Sequence, residues 1–419
     1  MCKGVLLIYW APFLHLYQPP TQSFPVLEKV SSESYRPLLK VLKRNPKAKV
    51  TFNICGVLTQ MLAEHNGTDI ISDFNKLAKS RQIEFVESAK YHAILPLIPV
   101  NESKRQIKLN NETNTKFFGE NYKPRGFFLP EMCYSASSGQ LIKDLGYEWV
   151  LLSGVSCTDD WPLDVIYRTK AESPHIITFF RDDIVSNRVS FRSVDSLGFI
   201  AALEYLAKGK KDIYVITAMD AETFGHHIKN WEKLFLEKLF KIIASKKRKI
   251  KKQLIPHIKV VTISELLDTF PIKESKPPLN SSWSTTKEDI TVKDYYPLWR
   301  NPANKIHSLQ WQHLHICFKL VNAASHVQDG EETKRLYEDA RESLDKALHS
   351  CQFWWANKGR TWSLKLINKG LILQEEALFS AYKTLVLSKY PEKSKRKFYL
   401  QMLAARNIAC KLRDRLYTA

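Results

Sequence analysis

The sequence predicts an α/β fold, a parallel sheet closed or nearly closed into a barrel, with an α-helical bundle after it. Three observations predict this. Over the first two-thirds of the chain, short apolar runs alternate with helix-like stretches, the order that builds parallel sheets buried on both faces. After Phe270 the composition shifts to PIKESKPPLNSSWSTTKED, which reads as a linker or long loop. Beyond Asn301 apolar residues recur at helical spacing and no convincing strand remains. The expected organisation is a barrel over residues 1–275, a linker over 276–300 and a helical domain over 301–419.

Taken in order, the strand candidates are VLLIYWAPFL, AKVTFNI, IEFVES, PRGFFL, EWVLLS, HIITFF, IYVITAM and HIKVVTI. Each is short, apolar and rich in β-branched or aromatic residues. Between them lie amphipathic segments such as SYRPLLKVLKRN, SDFNKLAKSR, SSGQLIKDLG and SVDSLGFIAALEYLAKG. The C-terminal part reads as three to five helices, among them QWQHLHICFKLVNAASHV, EETKRLYEDARESLDKALHSCQFWWA and SKRKFYLQMLAARNIACKLRDRLYT. The last is basic and amphipathic, and packing within the fold is the use expected of it.

Bulk properties exclude several classes. The 419 residues are 44% hydrophobic, enough for a sizeable core, and 14 Gly are too few for Gly-rich architectures. Seven scattered Cys form no CxxC pair, so they read as reduced thiols of a cytoplasmic protein. The N-terminal MCKGVLLIYWAPFLHLYQPP lacks the small-x-small cleavage site of a signal peptide and reads better as a buried first strand. No apolar run reaches the length of a membrane span. The net charge is +20, with a run KKRKIKK at Lys246–Lys252. No nucleic-acid motif or aromatic interleaving accompanies that run, so it reads as a solvated loop and no nucleic-acid partner is expected.

The strand ends carry the chemistry. The first ends in His15, Tyr17 and Gln18, another in Asn53, and a third runs through Glu87 towards Tyr91 and His92. A fourth reaches Pro130 and Glu131, and YVITAMDAETFGHH delivers Asp220 and Glu222. Barrel enzymes place their polar side chains at such ends. A buried carboxylate is costly unless it is paired or employed. The alternatives are specific: Glu131 and Asp220 as ion-pair partners of Arg125 or His226, Glu222 orienting His15 or a sugar hydroxyl, and His15, His92, Trp354 and Trp355 as core residues. His226 and His227 are adjacent and so point in different directions, which argues against one metal site taking both. Two carboxyls across a groove would suit glycoside hydrolysis, one as nucleophile and one as acid/base.

In order and spacing these segments resemble glycoside hydrolase family 57, and nearly the whole chain takes part. HLYQPP, FNICGVLTQ, GFFLPEMCY, MDAETFG and SCQFWW resemble the five short regions by which that family is read. YHAILPLIP, FFRDD at Phe179–Asp183 and SSWST at Ser281–Thr285 look like further landmarks. The resemblance implies an incomplete seven-stranded (β/α) barrel followed by a helical domain, and a retaining enzyme acting on α-glucans. Either α-amylase-like hydrolysis or 4-α-glucanotransfer would proceed through a glycosyl-enzyme intermediate. It implies Glu131 as nucleophile and Asp220 as general acid/base, with His15, His92, Glu222 and Trp354 binding an α-glucan or malto-oligosaccharide. It implies no metal or organic cofactor, no membrane association, and self-association as in other members. Two departures stand out: Phe128 where Trp is usual, and Ala221 where Gly commonly separates the two acids. Two other readings are a non-catalytic glucan- or partner-binding homologue on the same scaffold, and a metal-dependent polysaccharide deacetylase. The latter is set aside for want of a recognisable metal triad.

Overall fold

The strand from Leu7 to Leu16 is buried along all but its first residue, as a largely apolar run requires when both faces of a sheet are covered. In this computed structural model, residues 7–170, 174–245, 249–250, 253–254, 256–358 and 361–418 are described. Met1–Leu6 and most of the basic run Lys246–Lys252 lie outside them. The strands are β1 (Leu7–Leu16), β2 (Val50–Ile54), β3 (Ile83–Val86), β4 (Gly126–Phe128), β5 (Trp149–Ser153), β6 (Ile166–Thr169), β7 (Ile177–Arg181), β8 (Ile213–Asp220), β9 (Lys249–Ile250), β10 (Gln253–Leu254), β11 (His257–Val260) and β12 (Ile272–Ser275). The chain forms two compact units. The first is Met1–Gln18, Gln22–Lys90 and Leu95–Ile290, and the second is Pro19–Thr21, Tyr91–Ile94 and Thr291–Ala419.

In the first unit, β8 pairs in parallel with β1 from Ile8 to His15. The other edge of β1 is shared, β11 taking Leu7–Trp10 and β2 taking Phe13–Leu16. Pro12 donates no hydrogen bond and would be out of place in a central strand. It falls in the gap where one partner strand hands over to the other, so no ladder bond is lost. A second sheet runs β12-β6-β7-β5-β4, with β6 antiparallel to β7 and the other pairs parallel.

Two seams join the sheets. Glu87 just beyond β3 bridges Phe127 of β4, with Phe128 N donating to Glu87 O at 2.8 Å. Opposite, Asp182 N donates to Ile216 O of β8 at 2.8 Å. Seven parallel staves thus follow one another as β1, β2, β3, β4, β5, β7 and β8. The ladders stop at both seams, so the (β/α) barrel is incomplete. β6 and β12 were not anticipated: IYRT and IKES carry charges within four residues, and the strands join the sheet beyond the staves. The described residues of the second unit carry the helices Lys305–Ala324, Glu331–Ala347, Leu364–Leu387 and Glu392–Tyr417 and the short helix Cys351–Trp354. One apolar cluster there packs Ile306, Ile367, Leu371, Ala409, Leu412 and Leu416. Among the described residues, no helix is long and apolar enough to cross a membrane.

The inward faces of the staves form continuous rows. Tyr9, Ala11 and Phe13 on β1, Tyr214, Ile216 and Ala218 on β8, and Ile177 and Phe179 on β7 share one buried cluster with Phe128, Trp149 and Leu151. Strand alternation then places the next residue of each row on the same face: His15, Asp220 and Arg181.

Gly126 tests this packing. A methyl group there would stand 2.1 Å from the Trp149 ring, and that ring is held by its indole N–H, which donates to Ser264 Oγ at 3.0 Å. Gly126→Ala is expected to cost about 1–3 kcal/mol as overpacking, measured as a lower urea midpoint at unchanged slope.

Candidate active site

His15 stands at the level of both Asn53 and Asp220, its Cα paired in register with each. Its Nδ1 lies 2.8 Å from Asn53 Oδ1. The Asn53 amide N–H2 donates to Val86 O at 3.4 Å, so the amide oxygen faces the ring and Nδ1 is the protonated nitrogen. Burial pushes the imidazole down to about 4, against the smaller opposing pull of Asn53. The ring is therefore neutral near pH 7. Phe128 lies 4.8 Å away between centroids, and Tyr17 and Trp283 lie at 6.2 and 6.3 Å. Phe128, in the place where the resembling family usually has Trp, keeps an aromatic wall beside His15.

Asp220 ends β8 with part of its surface open. Burial raises its carboxyl above the ordinary aspartate value, and the positive charge of Arg181 pulls it back. Arg181 is itself fixed: Nε donates to Ala218 O at 2.8 Å, and Nη1 and Nη2 to Asp183 Oδ1 at 2.6 Å and Asn187 Oδ1 at 2.7 Å. The FFRDD run thus supplies a cation to the Asp220 surroundings.

Glu222 follows on the short 3-10 turn Ala221–Thr223 and is buried. Gln18 Nε2 donates to its Oε1 at 3.1 Å, and the Tyr35 hydroxyl donates to the same oxygen. Burial raises this carboxyl above its ordinary range, and the charge of Asp220 raises it further. Tyr35 closes a π-helical turn, Ser31–Tyr35, a local widening that often accompanies functional sites. Ser34 Oγ donates to Ala221 O at 2.9 Å. Gly225 has φ +110°, and a side chain there would strike Glu33 O. Ala221 is not among the residues of positive φ, so the methyl that replaces the more usual Gly causes no backbone strain.

Glu131 sits in a left-handed backbone conformation, φ 58° and ψ 18°, and Met132 follows at φ 51°. Such conformations are uncommon outside Gly, Asn and Asp and cluster at functional sites. Tyr134 N donates to Ser281 O at 2.8 Å, and Trp283 N donates to Glu131 O at 3.1 Å. The Trp283 indole N–H donates to Glu131 Oε2 at 2.9 Å.

The structural pairings considered for the two acids are overtaken by register. Arg125 precedes Gly126 and Glu148 precedes Trp149, which are partners, so Arg125 meets Glu148 at the opposite end of the staves, with two bonds of 2.8 Å. His226 Nδ1 is 2.7 Å from Glu33 Oε2. Glu222 engages Tyr35 and Gln18.

His15, Glu131, Asp220 and Glu222 all belong to the first unit. His92 and Trp354 belong to the second, where they meet through Ser350. His92 Nδ1 is 2.8 Å from Ser350 Oγ, and Trp354 N donates to Ser350 O at 3.2 Å. Trp354 is half-buried and stands edge-on to Trp355 at 4.8 Å. Three contributors went unnamed from sequence as site residues: Arg181, Tyr35 and Trp283. An Arg closing an apolar strand is a signal that could have found the first.

The model for glycosyl hydrolase family 57 matches residues 13–277, and the chain belongs to that family. It is 28% identical over 244 residues to an alpha-amylase of Pyrococcus horikoshii, covering 55% of this chain and 37% of that protein. It is 26% identical over 269 residues to a 4-alpha-glucanotransferase of Thermococcus litoralis, covering 61% of this chain and 38% of that one. The chain therefore spans well under half the length of these curated relatives. Among solved structures, a branching enzyme of this family from P. horikoshii superposes with a TM-score of 0.69 at 16% identity, covering 97% of this chain and 94% of that one. An alpha-amylase from Thermotoga maritima gives 0.66 at 16%, covering 97% and 99%. These two likenesses bear on the fold alone.

His15 offers a direct check. Its depressed value means that the unfolded chain binds a proton near 6.5 while the folded protein resists it down to about 4. This group's contribution to stability is thus present above pH 6.5 and is lost as pH falls towards 4. In 15N–1H NMR spectra, His15 is expected to keep the neutral Nδ1–H form at pH 6, where an ordinary histidine is largely charged. Asn53→Asp should raise its pKa by setting a carboxylate on Nδ1–H.

Proposed function

We propose that the chain is a retaining enzyme acting on α-glucans, with Glu131 as nucleophile and Asp220 as general acid/base. The observation that carries this reading is the polar last rung of the barrel. Apolar rows on β1, β7 and β8 lead to His15, Arg181 and Asp220, and Glu131 lies beside Trp283, whose ring stands edge-on to His15. In the first step a Glu131 oxygen attacks the anomeric carbon, the glycosidic C–O bond breaks, and the Asp220 proton passes to the leaving oxygen. In the second, Asp220 takes a proton from water or from a sugar hydroxyl, whose oxygen displaces Glu131. Water gives hydrolysis and a sugar hydroxyl gives 4-α-glucanotransfer.

Neutral His15 suits a hydrogen bond to a sugar hydroxyl. Glu222, held by Tyr35 and Gln18, anchors the turn that follows Asp220. His92 and Trp354 enter as glucan contacts on the strength of the sequence resemblance. Six free cysteines among the described residues support a reducing compartment, the cytoplasm.

Maltoheptaose incubated with the purified chain should give shorter products only for a hydrolase, and longer and shorter chains together for a transferase. Glu131→Gln should abolish either pattern, while Asp220→Asn should lower kcat/KM by about 10²–10⁴-fold. A wild-type protein that leaves malto-oligosaccharides untouched would overturn the reading.

The pH profile tests the acid. Because Asp220 must start protonated, kcat/KM should fall as pH rises through its raised value, placing the alkaline limb clearly above the ordinary aspartate value of about 3.9. A limb at the ordinary value would remove Asp220 from the role.

A further inference from the structure

We propose that Trp283 is a positioning residue for the reaction: its indole N–H holds Oε2 of Glu131 and thereby favours release of the glycosyl-enzyme intermediate. The inference rests on the retaining reading above. Trp283 grips Glu131 at two points, its backbone N–H on Glu131 O at 3.1 Å and its indole N–H on Oε2 at 2.9 Å. Its own segment is fixed on either side. Ser281 pairs antiparallel with Tyr134, and Ser282 N donates to Thr285 Oγ1 at 2.7 Å in a tight buried turn. The ring stands edge-on to Phe128 at 6.1 Å and to His15 at 6.3 Å. The clamp therefore fixes both the left-handed backbone of Glu131 and the rotamer of its carboxylate.

The chemistry follows from the donor. An indole N–H donates only and supplies no proton to the reaction, so it acts by stabilising charge on Oε2. With Oε2 held, Oε1 is the oxygen assigned to attack. In the first step the Oε1–C1 bond forms as the glycosidic bond breaks, the carboxylate loses its charge, and Oε2 becomes the carbonyl oxygen of an ester. In the second, water oxygen bonds C1, the C1–Oε1 bond breaks, its electron pair returns to Glu131, and Asp220 accepts the water proton. Negative charge therefore returns to Oε2 only in the second step. A hydrogen bond to a charged acceptor is stronger than one to a neutral acceptor, so Trp283 favours deglycosylation over glycosylation.

Trp283→Phe keeps an aromatic ring against His15 and Phe128 and deletes the N–H. With an aryl α-maltoside, kcat should fall about ten- to a hundredfold and KM should fall with it. The kcat/KM, which reports glycosylation, should stay within a few-fold, and a pre-steady-state burst of the aryl alcohol should appear. Equal losses in kcat and kcat/KM, with no burst, would overturn the proposal. A second measurement needs no substrate. The indole N–H resonance of Trp283, assigned by its absence in Trp283→Phe, should move when Glu131→Gln replaces its charged acceptor with a neutral one. An unmoved resonance would also overturn the proposal. If the wild type turns over no glucan while this resonance does move, the α-glucan reading fails and the clamp on Glu131 stands.

Discussion

Every second side chain of a barrel strand must point into the barrel, and this alternation governs the rest of the structure. Below the mouth the inward rows are filled by Tyr9, Phe13, Trp149, Phe179 and Tyr214, which leave little room for an unpaired polar group. Only the last inward position of a stave borders both the packed interior and solvent. A polar side chain there is partly desolvated, which shifts its protonation, without the full cost of burial. His15, Asp220 and Arg181 stand at this level: Asp220 keeps part of its surface open, while His15 and Arg181 are buried and hydrogen-bonded, and the apolar rungs beneath them hold their backbones at a fixed height.

The end of β8 carries two carboxyls two residues apart whose surroundings differ. Glu222 is taken up by a hydroxyl and an amide, Tyr35 and Gln18, whereas Asp220 lies within the field of an arginine that is itself tied down. Pairs of acids with unlike surroundings are how one site keeps one group protonated and frees another to exchange protons. A separate buried acid, Glu87, has a different part. It accepts from Asn110, Asn111, Tyr122, Tyr147 and its neighbour's N–H. That network stands at the seam between β3 and β4, one of the two places where the ladder is interrupted, and ties the two sheets together.

The staves were legible because burial on both faces leaves uninterrupted apolar runs, and all seven had been read from those runs. β6 and β12 were not, since strands outside the staves carry Arg, Lys and Glu. The helix Val100–Phe118 also escaped, because VNESKRQIKLNNETNTKFF is mostly polar and buries Gln106, Asn110 and Asn114 in place of an apolar stripe. At the site, acids at strand ends announced themselves by contrast with the apolar residues before them. Their partners did not. Nothing in PEM signals a left-handed Glu and Met, because that conformation is imposed by pairing with a distant segment. The register that sets Arg125 against Glu148, leaving Glu131 at the other end of the staves, likewise exists only once strands have paired.

The segment that holds Glu131 lies 152 residues further along the chain, beyond the last strand of the barrel. A ribosome delivers the carboxylate long before it delivers the indole. During that interval two L-residues have no reason to remain left-handed, a conformation that sterics disfavour, and the emerging chain carries Glu131 in another conformation. The geometry at Glu131 is thus among the last things the fold completes. A chain ending between β12 and Ser281 could still assemble every stave, yet its Glu131 would lack the two contacts from Trp283 that hold it.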